Sequence, residues 1–378
     1  MNVTASERAG CPKHMEYGPC GGVDFDGTCE VGDFRCVFLE TPTVRWHGIA
    51  PNLLSPELHS VARTGERPAT HSGASVEVHH LGDAHEFPVA PHGGAAAMRA
   101  RMAAGPVVIA DFPGRSVDRA SLRDCAQALA GRADATLAGD SGRSRVQFSP
   151  SYRAHLIQEA GLPVWSGLNA RDRNRVALEG ELAGLAEVGV AGVHCVTGDH
   201  TATGDRPDAL PVFDLDSTQI AALARQSGHL VSVGESPTTP PQQKRAARLH
   251  EKVLAGADLC FVNHAGGVEP VRRFIDEVRE LGVSPGFIPC VPMVVDAGSA
   301  GLLKTFTTLV LPEGYLDRIL HAADPFAEGM DAVTRLCEQL LEVDGVVGVN
   351  LSGGAAAGAE VAFADAMGRV ADRLGLRP

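Results

Sequence analysis

From Gly105 onward, short β-branched runs alternate with longer amphipathic segments, and this alternation limits the possible folds more than any other feature of the chain. The runs are PVVIADF (106–112), ADATLAG (133–139), LPVWSGL (162–168), AGVHCVT (191–197), HLVSVGE (229–235), DLCFVN (258–263), GFIPCV (286–291) and GVVGVNL (345–351). Between them, patterns such as Asp172–Val188, Gln242–Ala255 and Val268–Leu281 repeat their apolar residues at helical spacing and are long enough to cross back over a parallel sheet. Eight such units predict an α/β chain whose residues 105–378 close into a (β/α)8 TIM-type barrel rather than an open doubly wound sheet.

A barrel of this kind carries its chemistry at the carboxyl ends of its strands. That rule selects Asp111, then Gly139 and Asp140, then Asn169 through Asn174 with Arg171 among them. It also selects Thr197, Gly198, Asp199 and His200, then Glu235 and Ser236, Asn263 and His264, Pro292 and Met293, and Asn350 to Gly354. His264 is a candidate proton carrier, since an imidazole titrates near neutrality. GxGxxG and P-loop patterns are absent.

The chain has 378 residues, so more than a barrel must be accounted for. Lys and Arg number 33 against 46 Asp and Glu, a net charge of −13 that argues against nucleic acid and anionic membranes as partners. No apolar run of about 18 residues occurs, and the opening MNVTASERAG lacks the cationic start and apolar core of a secretory signal. A reducing cytoplasm is the expected location.

Four of the nine cysteines, Cys11, Cys20, Cys29 and Cys36, fall in the segment CPKHMEYGPCGGVDFDGTCEVGDFRCVF. Four thiolates can close a tetrahedral zinc site, and a glycine-rich segment with little core of its own needs such a staple. An iron–sulfur cluster is the chemical rival. With no open coordination position the metal is structural, and residues 1–40 are read as a cysteine-rich zinc-binding module. Cys125, Cys195, Cys260, Cys290 and Cys337 lie in apolar surroundings as small core residues. Residues 41–104 read as an irregular arm that ends in a short helix from Ala96 to Ala104. His79, His80 and His85 in the arm suit a histidine-rich loop better than a metal site.

The pattern CPKxxxxGPCGGxxxxGxCEV followed by CVF resembles the cysteine-rich C-terminal domain of methylenetetrahydrofolate reductases, placed here at the amino terminus. The barrel is independently similar to the same family through VVIADFPGR (107–115), RDRNRVALEGELAGLAEVGVAGVHCVTGDH (171–200), GDRPDALPVFDLDS (204–217) and RLHEKVLAGAD (248–258). The resemblance implies a cytoplasmic enzyme that reduces 5,10-methylene-tetrahydrofolate to 5-methyl-tetrahydrofolate with FAD and NAD(P)H. It makes Asp111 the acid that protonates N10, and Asp199 a catalytic residue that hydrogen-bonds the pterin. Asn263, His264 and Met293 become substrate-binding positions. Arg248 and Lys252 match positions near the flavin phosphates, and Asp140, Asn169, Arg171, Thr197 and Gly198 complete the implied cofactor-binding set.

Several mouth positions depart from that family. Asp111 replaces a glutamate, Gly167-Leu168-Asn169-Ala170 stands where a His or Gln precedes Leu-Thr-Cys, Val262-Asn263 replaces Thr-Gln, and Met293 replaces an aromatic residue. The pterin site is thus expected to persist while the flavin and nicotinamide sites are altered. Three readings follow: a reductase, a folate-dependent methyl or methylene transferase without flavin chemistry, and a non-catalytic folate-binding subunit. The folate is the expected small-molecule partner, with a homo-oligomer or a partner subunit compatible with all three.

Overall fold

The computed structural model describes residues 10–48, 91–139, 144–306 and 308–376. A two-stranded hairpin of β1 (Thr28–Cys29) and β2 (Gly32–Arg35) belongs to the cysteine module. The barrel strands are β3 (Val107–Asp111), β4 (Ala135–Ala138), β5 (Val164–Asn169), β6 (Gly192–Val196), β7 (Val231–Glu235), β8 (Leu259–Val262), β9 (Gly286–Pro292) and β10 (Gly348–Ser352). Each expected run yields one strand. They close in the order β10-β3-β4-β5-β6-β7-β8-β9 with parallel neighbours, which is the (β/α)8 barrel.

Helices α1 (Gly93–Ala104), α2 (Arg119–Leu129), α3 (Pro150–Gln158), α4 (Arg175–Val188), α5 (Ser217–Gln226) and α6 (Arg245–Leu254) come from the first part of the chain. They are followed by α7 (Val268–Glu280), α8 (Ala297–Leu303), α9 (Tyr315–Leu320), α10 (Pro325–Leu341) and α11 (Glu360–Leu374). The helix expected from Asp172 starts later, at Arg175. Asn174 is its cap, its side chain accepting from the Ala177 amide at 3.0 Å, while Asp172 is held by Arg171 instead.

Strand periodicity sorts side chains into two cores. Val108, Ala110, Val164, Leu168, Val193, Cys195, Val231 and Val233 point outward and pack under the helices. Val107, Ile109, Ala135, Trp165, Leu259, Phe261 and Ile288 point inward, filling the lumen together with Ala95 and Met98 of α1. The helix predicted from Ala96 therefore has a definite job as the plug of the barrel's amino end. Two histidines anchor it: His92 Nε2 meets His229 Nδ1 at 2.7 Å, and His229 Nε2 donates to the Leu182 carbonyl at 2.9 Å.

The same two-residue period carries on to the carboxyl end. Asp111, Gly167, His194, Gly234, Cys290 and Asn350 inherit the inward positions. In a closed ring of eight strands β3 lies opposite β7, and β6 opposite β10.

Candidate functional site

A cavity of about 310 Å³ occupies the carboxyl-terminal mouth over β5 to β8, and its roof is the cysteine module. Lys13, Met15, Pro19, Cys20, Gly21 and Gly22 come from above, while Gly139, Gly167, His194, Thr197, Asp199, Glu235, Ser236 and Asn263 come from the strand ends below. The α6 side chains Arg245, Arg248 and Lys252 complete it, with Ser217 at the start of α5.

Long-range polar contacts hold the roof down. Lys244 Nζ donates to the carbonyls of Phe38, Leu39 and Thr41 at 2.9, 2.7 and 2.7 Å. The Glu16 and Tyr17 amides both donate to Asp216 at 3.3 Å, and Gln219 Nε2 donates to Glu16 at 3.1 Å. Arg245 Nη1 donates to the Cys20 carbonyl at 3.1 Å. Glu30 pairs with Lys13 at 2.5 Å and accepts from the His200 amide at 3.0 Å, so it joins the module to the turn after β6. The charge on buried Lys13 is favoured: burial opposes it, but Cys20, Glu30 and Asp199 together more than compensate and raise its pKa.

Beneath the roof lies a buried charge cluster. Lys252 Nζ donates to Glu235 at 2.5 Å and to the Gly234 carbonyl at 2.7 Å, and Arg245 lies 3.6 Å from Glu235. Burial raises the pKa of Glu235, but Lys252, Arg245 and Arg248 outweigh it and leave the carboxyl below its ordinary value. Arg248 donates to Thr218 Oγ1 and lies 3.5 Å from Asp216. The two helix cations that sequence matching assigns to flavin phosphates are thus engaged by carboxylates and a hydroxyl of the barrel itself.

The strand-end residues divide between two sides of the mouth. Asp199 lines the roofed cavity from an exposed position in the turn, and Thr197 and Gly198 line it beside Asp199. Gly198 has φ +91°, and a Cβ there would come within 3.0 Å of Asn169 Cβ, so the turn accepts glycine for two reasons. Thr197 Oγ1 accepts from the Ser217 amide at 3.2 Å. Asn263 lines the cavity and donates from Nδ2 to Ser236 Oγ at 2.8 Å. Arg171, 1% exposed, spends Nε and Nη2 on Asp172.

Across the barrel, Asp111 accepts from Asn350 Nδ2 at 2.8 Å, Ser352 Oγ at 2.7 Å and the Gly353 amide at 3.1 Å. Burial raises its pKa, and the three hydrogen bonds oppose that rise without cancelling it. His264 is almost fully buried, contacts the Cys290 carbonyl through Nδ1 at 3.1 Å, and is pushed down to about 4 by burial. Met293 packs in the shell between sheet and helices and does not reach the cavity. Asp140 and the histidines 79, 80 and 85 lie outside the described residues.

Burial is the first cause that raises the Cys11, Cys29 and Cys36 pKa values, and smaller contributions come from Cys20 on all three, from Cys36 on Cys11 and from Cys29 on Cys36. Among the described residues, however, no three His, Cys, Asp or Glu side chains are arranged to hold a metal ion. No described helix is long and apolar enough to cross a membrane.

One lumen residue lacks any strand-end signature in the sequence. His194 lines the cavity from within β6, three positions before Thr197, and only the inward parity of β6 points to it.

Comparison with known proteins bears on this geometry. No curated protein sequence matches the chain. Among solved structures, an uncharacterized protein from Clostridium thermocellum that binds two copies of 5-methyl-5,6,7,8-tetrahydrofolic acid is 11% identical, with a TM-score of 0.53 over 74% of this chain and 100% of that one. A 2,3-dimethylmalate lyase, a PEP mutase/isocitrate lyase superfamily member, is 14% identical with a TM-score of 0.42 over 68% of this chain and 80% of that one. The likeness to the Clostridium thermocellum protein is one of fold alone. The family model for the methylenetetrahydrofolate reductase C terminal matches residues 4–45, which span the four cysteines. The methylenetetrahydrofolate reductase model matches residues 132–352, more than half the chain and seven of the eight barrel strands, and the chain belongs to that family.

Proposed function

We propose that the protein is a folate-dependent one-carbon enzyme that takes the pterin of a reduced folate into the roofed cavity and reduces 5,10-methylene-tetrahydrofolate to 5-methyl-tetrahydrofolate. The observation that carries this reading is the convergence of Asp199 and Asn263 on one roofed cavity in a barrel of this family. A carboxylate accepts the paired N–H groups of a pterin's amino-lactam edge, and an amide both donates and accepts beside it. The neighbour that binds 5-methyl-tetrahydrofolate shares the barrel fold, which supports a folate as the ligand class.

In this reading N10 of the methylene-folate takes a proton, the bond from N10 to the methylene carbon breaks, and a hydride from NAD(P)H reaches that carbon. Asp111 is the proton donor. It stands on β3, opposite the β7 edge of the cavity, and burial favours its protonated form. Glu235 is unsuited to that task because three cations hold it ionised.

The cations that would meet a flavin's phosphates are partly taken: Lys252 and Arg245 are paired with Glu235 and Arg248 lies 3.5 Å from Asp216, while Arg248 Nε and Nη2 keep no hydrogen-bond partner among the described residues. The proton and hydride movements above need only the folate, Asp111 and the nicotinamide. The cavity volume is near the lower end for small-molecule sites and suits a bicyclic ring.

A second reading, a methyl or methylene transferase, is favoured by Cys20, which lines the same cavity. The four thiols are a donor set of the kind structural zinc takes. The deciding experiment offers purified protein 5,10-methylene-tetrahydrofolate with NADH or NADPH and follows nicotinamide oxidation and 5-methyl product. Product without added flavin supports the reductase. Folate binding with no nicotinamide oxidation sends the reading to the transferase.

A further inference from the structure

His194 is a neutral imidazole fixed in the floor of the cavity. Its ring is wedged edge-on against Phe261, with centroids 4.9 Å apart, and Phe261 in turn packs on Trp165 at 5.5 Å. Below it, Ser232 Oγ receives the Trp165 Nε1 hydrogen at 2.9 Å. The serine's single proton then has two acceptors within reach, His194 Nδ1 at 3.0 Å and the Val193 carbonyl at 3.4 Å. When the hydroxyl donates along the shorter contact, Nδ1 accepts and Nε2 of the neutral ring carries the hydrogen; when it donates to Val193, Nδ1 donates to the serine and Nε2 is an acceptor. Burial and the nearby Lys252 ammonium push the imidazole down to about 3, which keeps the ring neutral at physiological pH.

Nε2 has no protein partner among the described residues. The two strands beside β6 leave room around it. Gly167 of β5 is in register with His194, and a Cβ at Gly234 of β7 would lie 3.6 Å from Nε2, in space that glycine leaves open. The cavity floor therefore presents one ring nitrogen, Nε2, between two glycines.

We infer that His194 Nε2–H is a recognition donor for the lactam carbonyl of the ligand's pteridine ring. The inference rests on the folate reading above and deepens it. Asp199 and His194 come from one strand and its turn, so the carboxylate would take the ring's N–H edge while the imidazole takes the adjoining carbonyl. A 4-amino pteridine, which presents a donor where the natural ring has an acceptor, is disfavoured at such a site.

The test is calorimetric titration of wild-type protein, His194→Leu and His194→Gln with 5-methyl-tetrahydrofolate and with its 2,4-diamino analogue. Losing a donor to a buried acceptor weakens binding about tenfold or more, so His194→Leu is expected to lose at least that for the 4-oxo ligand. His194→Gln, whose amide N–H reaches the place of Nε2, is expected to retain most of the affinity, and the preference for the 4-oxo ring should vanish only in His194→Leu. Should the leucine variant fail to fold, the nitrogen-15 shifts of His194 in wild-type protein decide the matter: an Nε2-protonated ring supports the inference, and an Nδ1-protonated ring overturns it. Unchanged affinity in a folded His194→Leu overturns the inference alone. Failure of wild-type protein to bind 5-methyl-tetrahydrofolate overturns the folate reading along with it.

Discussion

Arg245 ties the roof of the cavity to its floor: the guanidinium donates to the Cys20 carbonyl at 3.1 Å and lies 3.6 Å from the Glu235 carboxylate. One side chain thus connects a segment near the start of the chain to a barrel strand more than half its length away. Its remaining contacts, to the Thr239 and Pro240 carbonyls, fix the loop that leads into α6.

Arg245→Ala is expected to loosen the module. Removing one member of a buried pair costs roughly 3–5 kcal/mol when the other is left alone, and since Glu235 keeps Lys252 the expected cost is about 2 kcal/mol. Limited proteolysis of the module and the midpoint of thermal unfolding report this directly. Unaltered cleavage within residues 10–48 would show that the other contacts suffice.

Asp199→Asn preserves the shape of an exposed turn residue while removing one carboxylate charge and exchanging an acceptor for a donor. Binding of 5-methyl-tetrahydrofolate is expected to weaken about tenfold or more with little change in stability. Equal affinity in the variant, measured calorimetrically, would move the pterin elsewhere.

Asp111→Asn should leave folate affinity within a few-fold of wild type and depress turnover about 10²-fold or more, as expected for a lost general acid. Burial raises the carboxyl's pKa, so the protonated, donating form persists to higher pH than in a free aspartate and is lost as pH rises through the raised value. Activity should accordingly fall on the alkaline side of that pKa, and the limb should disappear in the variant. A pH profile unchanged by the substitution argues for a different donor.

The His92–His229 pair predicts an acid-sensitive barrel. His229 must give its Nε2 hydrogen to Leu182 and accept from His92 at Nδ1, an arrangement a charged ring cannot make. Burial leads the causes that lower the His229 pKa from 6.5 to about 4, so between those values the unfolded chain binds more protons than the folded one. Stability therefore rises with pH across that window and is lost as the pH falls, by up to about 3 kcal/mol from this site. Denaturant melts at pH 7 and 4.5 should lose part of their difference in His229→Gln.

If the four module thiols take zinc, purified protein should carry about one equivalent, and Cys20→Ser should lose most of it. Metal content unchanged in that variant assigns the ion to another site.

The eight strands, their order and the parallel sheet were legible because β-branched runs and helical spacing are local properties, set by each segment's own burial pattern. The strand-end placement of Asp111, Thr197, Asp199 and Asn263 was legible for a similar reason, since strand ends follow from strand positions. His194 could have been found by extending the two-residue period inward from Trp165 and Ile109, but its neighbours in sequence give no chemical hint. Only the closed barrel sets it between Gly167 and Gly234 and over Ser232. The roles of Arg248 and Lys252 were likewise undecided by sequence, because a cation's effect depends on what it meets. In the fold they meet Asp216 and Glu235, 32 and 17 positions away, under a module that begins some 200 residues earlier. The sequence alone determined that this chain forms a barrel with a cysteine module at one end. Tertiary structure alone decided that the module roofs the β5 to β8 side of the mouth and leaves Asp111 on the opposite side, because docking is governed by long-range charge and hydrogen-bond partners that leave no trace in local periodicity.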